Sequence, residues 1–132
     1  MPRLRVVAVS ARLPAWAEEA CAEYLKRMPR GYEVSRIDTK PGKLKSFLKG
    51  HVVALDEGGE EMTTQQFALL LKSATTFVIG GPDGLEESVK MDAALLLRLS
   101  SLTLPHALAQ VVLLEQIYRA ATMLTGHPYH RA

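Results

Sequence analysis

The sequence predicts an α/β protein with a mostly parallel sheet flanked by helices. Three observations carry this expectation. Short β-rich runs recur at residues 4–10, 32–38, 51–55, 76–79 and 95–100. Helix-period segments separate most of them, the alternation that produces parallel strands joined by crossover helices. Residues 107–124 then form an apolar run without Gly or Pro, long enough for about five helical turns.

Taken in order, Leu4-Arg5-Val6-Val7-Ala8-Val9-Ser10 alternates only in part, as a strand buried on both faces does. Pro14 opens a helix reaching about Met28, with Trp16, Ala20, Tyr24 and Met28 expected along one face. Pro29-Arg30-Gly31 ends it, and a second strand follows over 32–38. Lys40-Pro41-Gly42-Lys43 is a turn before a short basic helix at 44–48. The third strand, His51 to Leu55, is expected to stop at an Asp56-Glu57-Gly58-Gly59 loop. Thr63 or Thr64 then caps a helix running to about Leu71. The fourth strand leads into Gly80-Gly81-Pro82-Asp83-Gly84-Leu85, and Glu86 and Glu87 sit in the first turn of the next helix, where they complement its dipole.

The long C-terminal helix is apolar around most of its circumference. Glu115, Arg119 and Thr122 form its one polar stripe, with Glu115 and Arg119 spaced to pair. A helix greasy on nearly all sides is buried twice. In a chain of 132 residues the second surface is another copy, so a homodimer is expected, with this helix half core and half interface.

The length suits one domain spanning 1–132. No apolar run spans a bilayer, and Met1-Pro2-Arg3 does not begin a signal peptide. No membrane role and a cytoplasmic location are expected. The lone Cys21 excludes an internal disulfide and a Cys-pair zinc site, and it reads as a core residue. Residues 1–50 carry 11 Lys/Arg against 5 Asp/Glu, while 51–132 carry 5 against 9. Lys26, Arg27, Arg30, Arg36, Lys40, Lys43, Lys45 and Lys49 belong to the basic half. Such a run suits either a solvated face or a polyanionic partner.

Ligands of parallel sheets bind beyond the carboxyl ends of the strands. Here those ends are Leu55-Asp56, Ile79-Gly80-Gly81 and the stretch from Leu99 to Leu104. Gly80-Gly81-Pro82-Asp83-Gly84 is neither a dinucleotide fingerprint nor a Walker loop. It is a tight turn that either offers backbone groups to a flat hydrogen-bonding ligand such as adenine or simply joins strand to helix. Ser100, Ser101, Thr103 and His106 lack the G-x-S-x-G of a nucleophile elbow. His127 and His130 lack the further ligands of a metal site, so no metal is expected. His106, following Pro105 at a helix start, is either a capping residue or a reactive one.

Phe77-Val78-Ile79-Gly80-Gly81-Pro82-Asp83-Gly84-Leu85, Leu99-Ser100-Ser101-Leu102-Thr103-Leu104-Pro105-His106 and His127-Pro128-Tyr129-His130-Arg131 together resemble the RlmH family. These are the large-subunit ribosomal RNA pseudouridine N3-methyltransferases of the SPOUT superfamily. The resemblance covers nearly the whole chain. It implies a homodimer with a C-terminal trefoil knot that uses S-adenosylmethionine and acts on ribosomal RNA within assembled ribosomes. It places the cofactor at Leu55, Gly80, Gly81 and Leu99, Ser100, Ser101, Leu102, Thr103 and Leu104. It also places His106, Tyr129, His130 and Arg131 at the reacting end. The link from Ile37 to Val52 is shorter than in much of the family, Asp83 stands where Glu is frequent, and Ala107 where Pro is. A catalytically inactive, knotted RNA-binding protein of the ribosome is the alternative.

Overall fold

The computed structural model describes residues 3–9 and 12–131, with His130 and Arg131 described by backbone alone. Five strands form one sheet: β1 (Arg3–Val9), β2 (Glu33–Thr39), β3 (His51–Glu61), β4 (Thr75–Ile79) and β5 (Leu95–Arg98). Their order is β2-β1-β4-β3-β5 and every neighbouring pair is parallel. Val7 stands between Ile37 and Val78 in register.

Side-chain alternation divides the core in two. Leu4, Val6, Ala8, Val53, Phe77, Ile79 and Leu97 face α1 (Ala15–Arg27), α2 (Thr64–Leu70) and α4 (His106–Thr125). Val7, Val9 and Val78 point the other way, against Leu44 of a 3-10 helix (Pro41–Phe47) and Val89 of α3 (Glu87–Asp92). Because both faces are covered, β1 is buried from Val6 to Val9. The basic helix expected at 44–48 is this 3-10 segment.

Helix ends follow local chemistry. Thr63 closes a capping box with Gln66 at the start of α2. Gly126 ends α4 in the left-handed conformation at φ +78°. The His127 amide then reaches back to the Thr122 carbonyl.

Three expectations change. The buried face of α1 is Ala17 and Cys21, with Tyr24, Leu25 and Met28 alongside, while Trp16 is 54% exposed. A strict i, i+4 row drifts by about 40° per step on a helix of 3.6 residues per turn, so Trp16 and Met28 do not share a face. Second, β3 does not end at Leu55. Pairing with β5 slips between Leu55 and Glu60 and resumes at Glu60 and Glu61. Gly59 permits this because a Cβ there would lie 2.6 Å from the Leu96 carbonyl carbon.

Third, α4 is buried more deeply by its own chain than a half-interface helix requires. Leu113, Leu114, Ile117, Ala120, Ala121 and Thr122 are inaccessible. Thr122 leaves the polar stripe and donates its hydroxyl to the Arg119 carbonyl. The accessible stripe is Leu108, Val112, Glu115, Arg119 and Met123.

Candidate active site

A cavity of about 460 Å³ opens where β4 and β5 end and where β3 turns irregular after Leu55. Leu55, Gly80 and Gly81 line it from the strands, and Leu99, Ser100, Leu102, Thr103 and Leu104 from the loop before α4. Ser101, expected in the same set, is not among its lining residues. His106, the first residue of α4, borders the cavity together with Pro105 and Ala109.

The glycine loop is held tightly. The Gly84 amide donates to the Gly81 carbonyl at 3.0 Å, closing a turn over Pro82 and Asp83. Gly84 takes φ +74°. A Cβ on Gly80 would sit 2.6 Å from the Gly84 carbonyl carbon, so only glycine lets these backbones approach. In the following loop, Ser100 accepts from the Leu102 amide through its hydroxyl. This leaves 99–104 irregular, with backbone groups available beside leucines.

Charged groups sit in the irregular stretch of β3 and at the end of β5. Asp56 accepts from Lys90 Nζ at 3.0 Å and from the Gly58 amide at 3.1 Å. The Lys90 hydrogen bond holds the Asp56 carboxyl below its ordinary range, and the same bond raises the lysine. Arg98 lines the cavity and pairs with Glu61 through Nη2. Glu57 and Arg98 were not expected from the sequence, which named Asp56 only as part of a strand end. Asp56 and Glu57 sit in the irregular stretch of β3 after Leu55 and Arg98 ends β5, positions set by strand pairing and not by local sequence.

The tail is elsewhere. Tyr129 donates its hydroxyl to Glu115 Oε2 at 2.9 Å, its ring is 4.5 Å from that of Tyr118, and the Arg119 guanidinium lies 5.0 Å from its centroid. Burial first, then the bond to Glu115 and the nearby Tyr24, raise the phenol above its ordinary value. Glu115 and Arg119 follow His106 by 9 and 13 positions, about 14 and 20 Å along the helix axis. Tyr129 is therefore not brought to the cavity of its own chain. The side chains of His130 and Arg131 lie outside the described residues.

The basic residues are divided as well. Lys26, Arg30, Lys40, Lys43, Lys45 and Lys49 are exposed. Arg36 instead turns inward, donating to Gln110 at 2.8 Å and to both oxygens of Asp38. Lys45 and Pro41 border a second hollow formed by the outer side of the Gly81–Leu85 turn, which sets the basic 3-10 helix beside the cavity loop. Among the described residues no group of three His, Cys, Asp or Glu could hold a metal, and no helix is long and apolar enough to cross a membrane.

A parallel sheet with a cavity at its carboxyl end, walled by a glycine turn and a leucine-hydroxyl loop, is a small-ligand site, and the family match gives its class, a methyltransferase. The family described as "Predicted SPOUT methyltransferase" matches residues 2–130. A Polynucleobacter asymbioticus protein named ribosomal RNA large subunit methyltransferase H is 45% identical over 145 residues, covering 98% of this chain and 99% of its own. A Methylobacillus flagellatus protein of the same name is 38% identical over 153 residues, with the same coverage. Among solved structures, the SpoU methyltransferase AviRb of Streptomyces viridochromogenes, in complex with AdoMet, aligns at TM-score 0.59 and 14% identity. That alignment covers 93% of this chain and 58% of AviRb. The chain belongs to the SPOUT methyltransferase family, in its ribosomal RNA large subunit methyltransferase H branch.

Proposed function

We propose that this protein is a cytoplasmic, homodimeric S-adenosylmethionine-dependent enzyme that methylates N3 of a pseudouridine in large-subunit ribosomal RNA, acting on assembled ribosomes. A C-terminal trefoil knot belongs to the same reading. The observation that carries it is the cavity at the ends of β4 and β5 and the irregular stretch of β3, walled by the Gly80–Gly84 approach and by residues 99–104. Its volume falls within the common range for small-ligand sites, roughly 300–1,000 Å³. Leu55, Gly80, Gly81 and the backbone of 99–104 would hold the nucleoside. When bound, the cofactor supplies an electrophilic methyl group on sulfur.

The protein's own part is to orient the acceptor and manage its charge. The acceptor nitrogen is an imide N–H, so a proton must leave and negative charge spreads to the flanking carbonyls. His106 lines the cavity at the N-terminus of α4, where the helix dipole and first-turn amides favour negative charge. Arg131 and His130 are assigned to the same charge, and Tyr129 to the base. Since Tyr129 packs on the accessible stripe of α4 and away from its own cavity, the tail is assigned to the cavity of the partner subunit. Lys45, beside the glycine turn, and the exposed Lys40 and Lys43 at the start of the same 3-10 helix are assigned to RNA phosphates.

The test is mass mapping of large-subunit ribosomal RNA after incubating the protein with cofactor and ribosomes that carry unmethylated pseudouridine. A single methyl on a pseudouridine is expected. Saturable cofactor binding without any methyl transfer would leave the inactive RNA-binding alternative.

A further inference from the structure

We propose that Arg98 recognises the α-carboxylate of the amino-acid portion of S-adenosylmethionine. Glu61 holds the guanidinium in place. The inference rests on the cavity being the cofactor site.

Alternation on β5 sends Leu95 and Leu97 into the core beneath α4 and Arg98 to the opposite side, at the strand's last position. There it lines the cavity, and among the described lining residues it alone carries a permanent positive charge. Its coordination is incomplete. Glu61 engages Nη2, while Nε is buried without a hydrogen-bond partner among the described residues and about a third of the side chain stays accessible. A guanidinium offers five N–H donors in a planar fork, a geometry that matches a carboxylate.

The cavity's two carboxylates do not draw on Arg98, and Glu57 is exposed to solvent. Asp56 is already met by Lys90 and the Gly58 amide, so no positive group need be found for it. The nucleoside end of the ligand, which is neutral, suits the glycine and leucine walls. The zwitterionic end needs a fixed cation, and Arg98 supplies it. Glu61 is placed for its holding role by the slip in β3, which sets it opposite Arg98 in register.

Titration calorimetry on the full-length protein separates this from a structural role. The probes are S-adenosylhomocysteine, its decarboxylated analogue, and 5′-methylthioadenosine, which lacks the amino-acid portion. The unmodified protein should bind S-adenosylhomocysteine about tenfold or more tightly than the decarboxylated analogue. Arg98→Gln should erase that preference and leave methylthioadenosine affinity within about twofold. Arg98→Lys, which keeps the charge but not the fork, should restore part of it. Equal affinity of the unmodified protein for the carboxylated and decarboxylated ligands would overturn the proposal without any variant being made. Parallel loss of all three ligands in Arg98→Gln would also overturn it, making the residue a support of β5. Failure of the unmodified protein to bind any of the three would instead overturn the assignment of the cavity itself.

Discussion

Tyr129 donates its phenolic hydrogen to Glu115 Oε2, the same oxygen that Arg119 Nε and Nη2 reach at 3.0 Å. One carboxylate thus ties the tail to the middle of α4, and the aromatic ring packs between Tyr118 and Arg119. The tail is part of the fold as well as a candidate for the chemistry, so removing all of it tests two things at once.

Tyr129→Phe separates them. The substitution keeps the ring contacts and removes one hydrogen bond to a charged group, which should cost about 1.5–3 kcal/mol. The phenol is held above its ordinary value in the fold, so its contribution is fully present below about pH 10 and is lost as pH rises through the folded value. Denaturant midpoints of the two proteins should differ at pH 7 and converge under strongly alkaline conditions. A constant difference across that range would assign the stability to something other than the hydroxyl.

Asp56 and Lys90 give the opposite sign at the acid end. The carboxyl is depressed below its ordinary 3.8, so the stabilisation is present above that value and disappears as pH falls through the lower folded one. Lys90 is raised, so its share is lost only above its ordinary 10.5. Asp56→Asn should therefore be less stable than the unmodified protein at pH 6, with the gap closing below about pH 4. Chemical denaturation at stepped pH measures it.

Gly80→Ala is the sharpest test of the loop. The added methyl would meet the Gly84 backbone at 2.6 Å, and backbone cannot rotate away as a side-chain end can. A cost of about 1–3 kcal/mol is expected, with a larger loss of S-adenosylhomocysteine binding than the stability change alone produces. Calorimetry on the folded fraction reads the second effect. Unchanged affinity would place the ligand away from the turn.

The strands and the long helix were legible because periodicity and turn chemistry are local properties. The runs at 4–10 and 76–79 needed no knowledge of their partners. What was not legible depended on distant chain. The bulge after Leu55 exists because Gly59 passes close to the Leu96 backbone on another strand. Arg36 looks like a surface cation until Gln110, 74 residues later, accepts its hydrogen bond. The cavity-lining leucines and glycines could be nominated from strand ends, whereas Arg98 emerged only once the pairing of β5 had set its direction. Leu114 and Ile117 on α4 show the same limit. Composition marks them as apolar, but only packing shows that they face their own core.

That last point changes how the homodimer is to be tested. Leu114→Asp or Ile117→Asp would bury a charge inside one chain and unfold it, whatever its oligomeric state. Leu108, 37% exposed on the outer stripe with Val112 and Met123, is the position to use. Leu108→Asp should yield a folded protein that sediments as a monomer at micromolar concentration.

If the tail serves the partner's cavity, subunits defective in different places should repair one another. Gly80→Ala damages the cavity and leaves the tail, while Arg131→Ala removes a tail cation and leaves the cavity. Each homodimer then contains two broken composite sites. A mixed dimer contains one site with both defects and one with neither. Random exchange makes about half the dimers mixed, each with one intact site of two, so a mixture should recover about a quarter of the unmodified activity. Methyl transfer to ribosomes by the mixture, compared with each variant alone, measures the recovery. If the tail instead serves its own cavity, every subunit in the mixed dimer stays defective and no activity returns. Adding Leu108→Asp to both variants should abolish the recovery, because the repair requires that the two chains meet across α4.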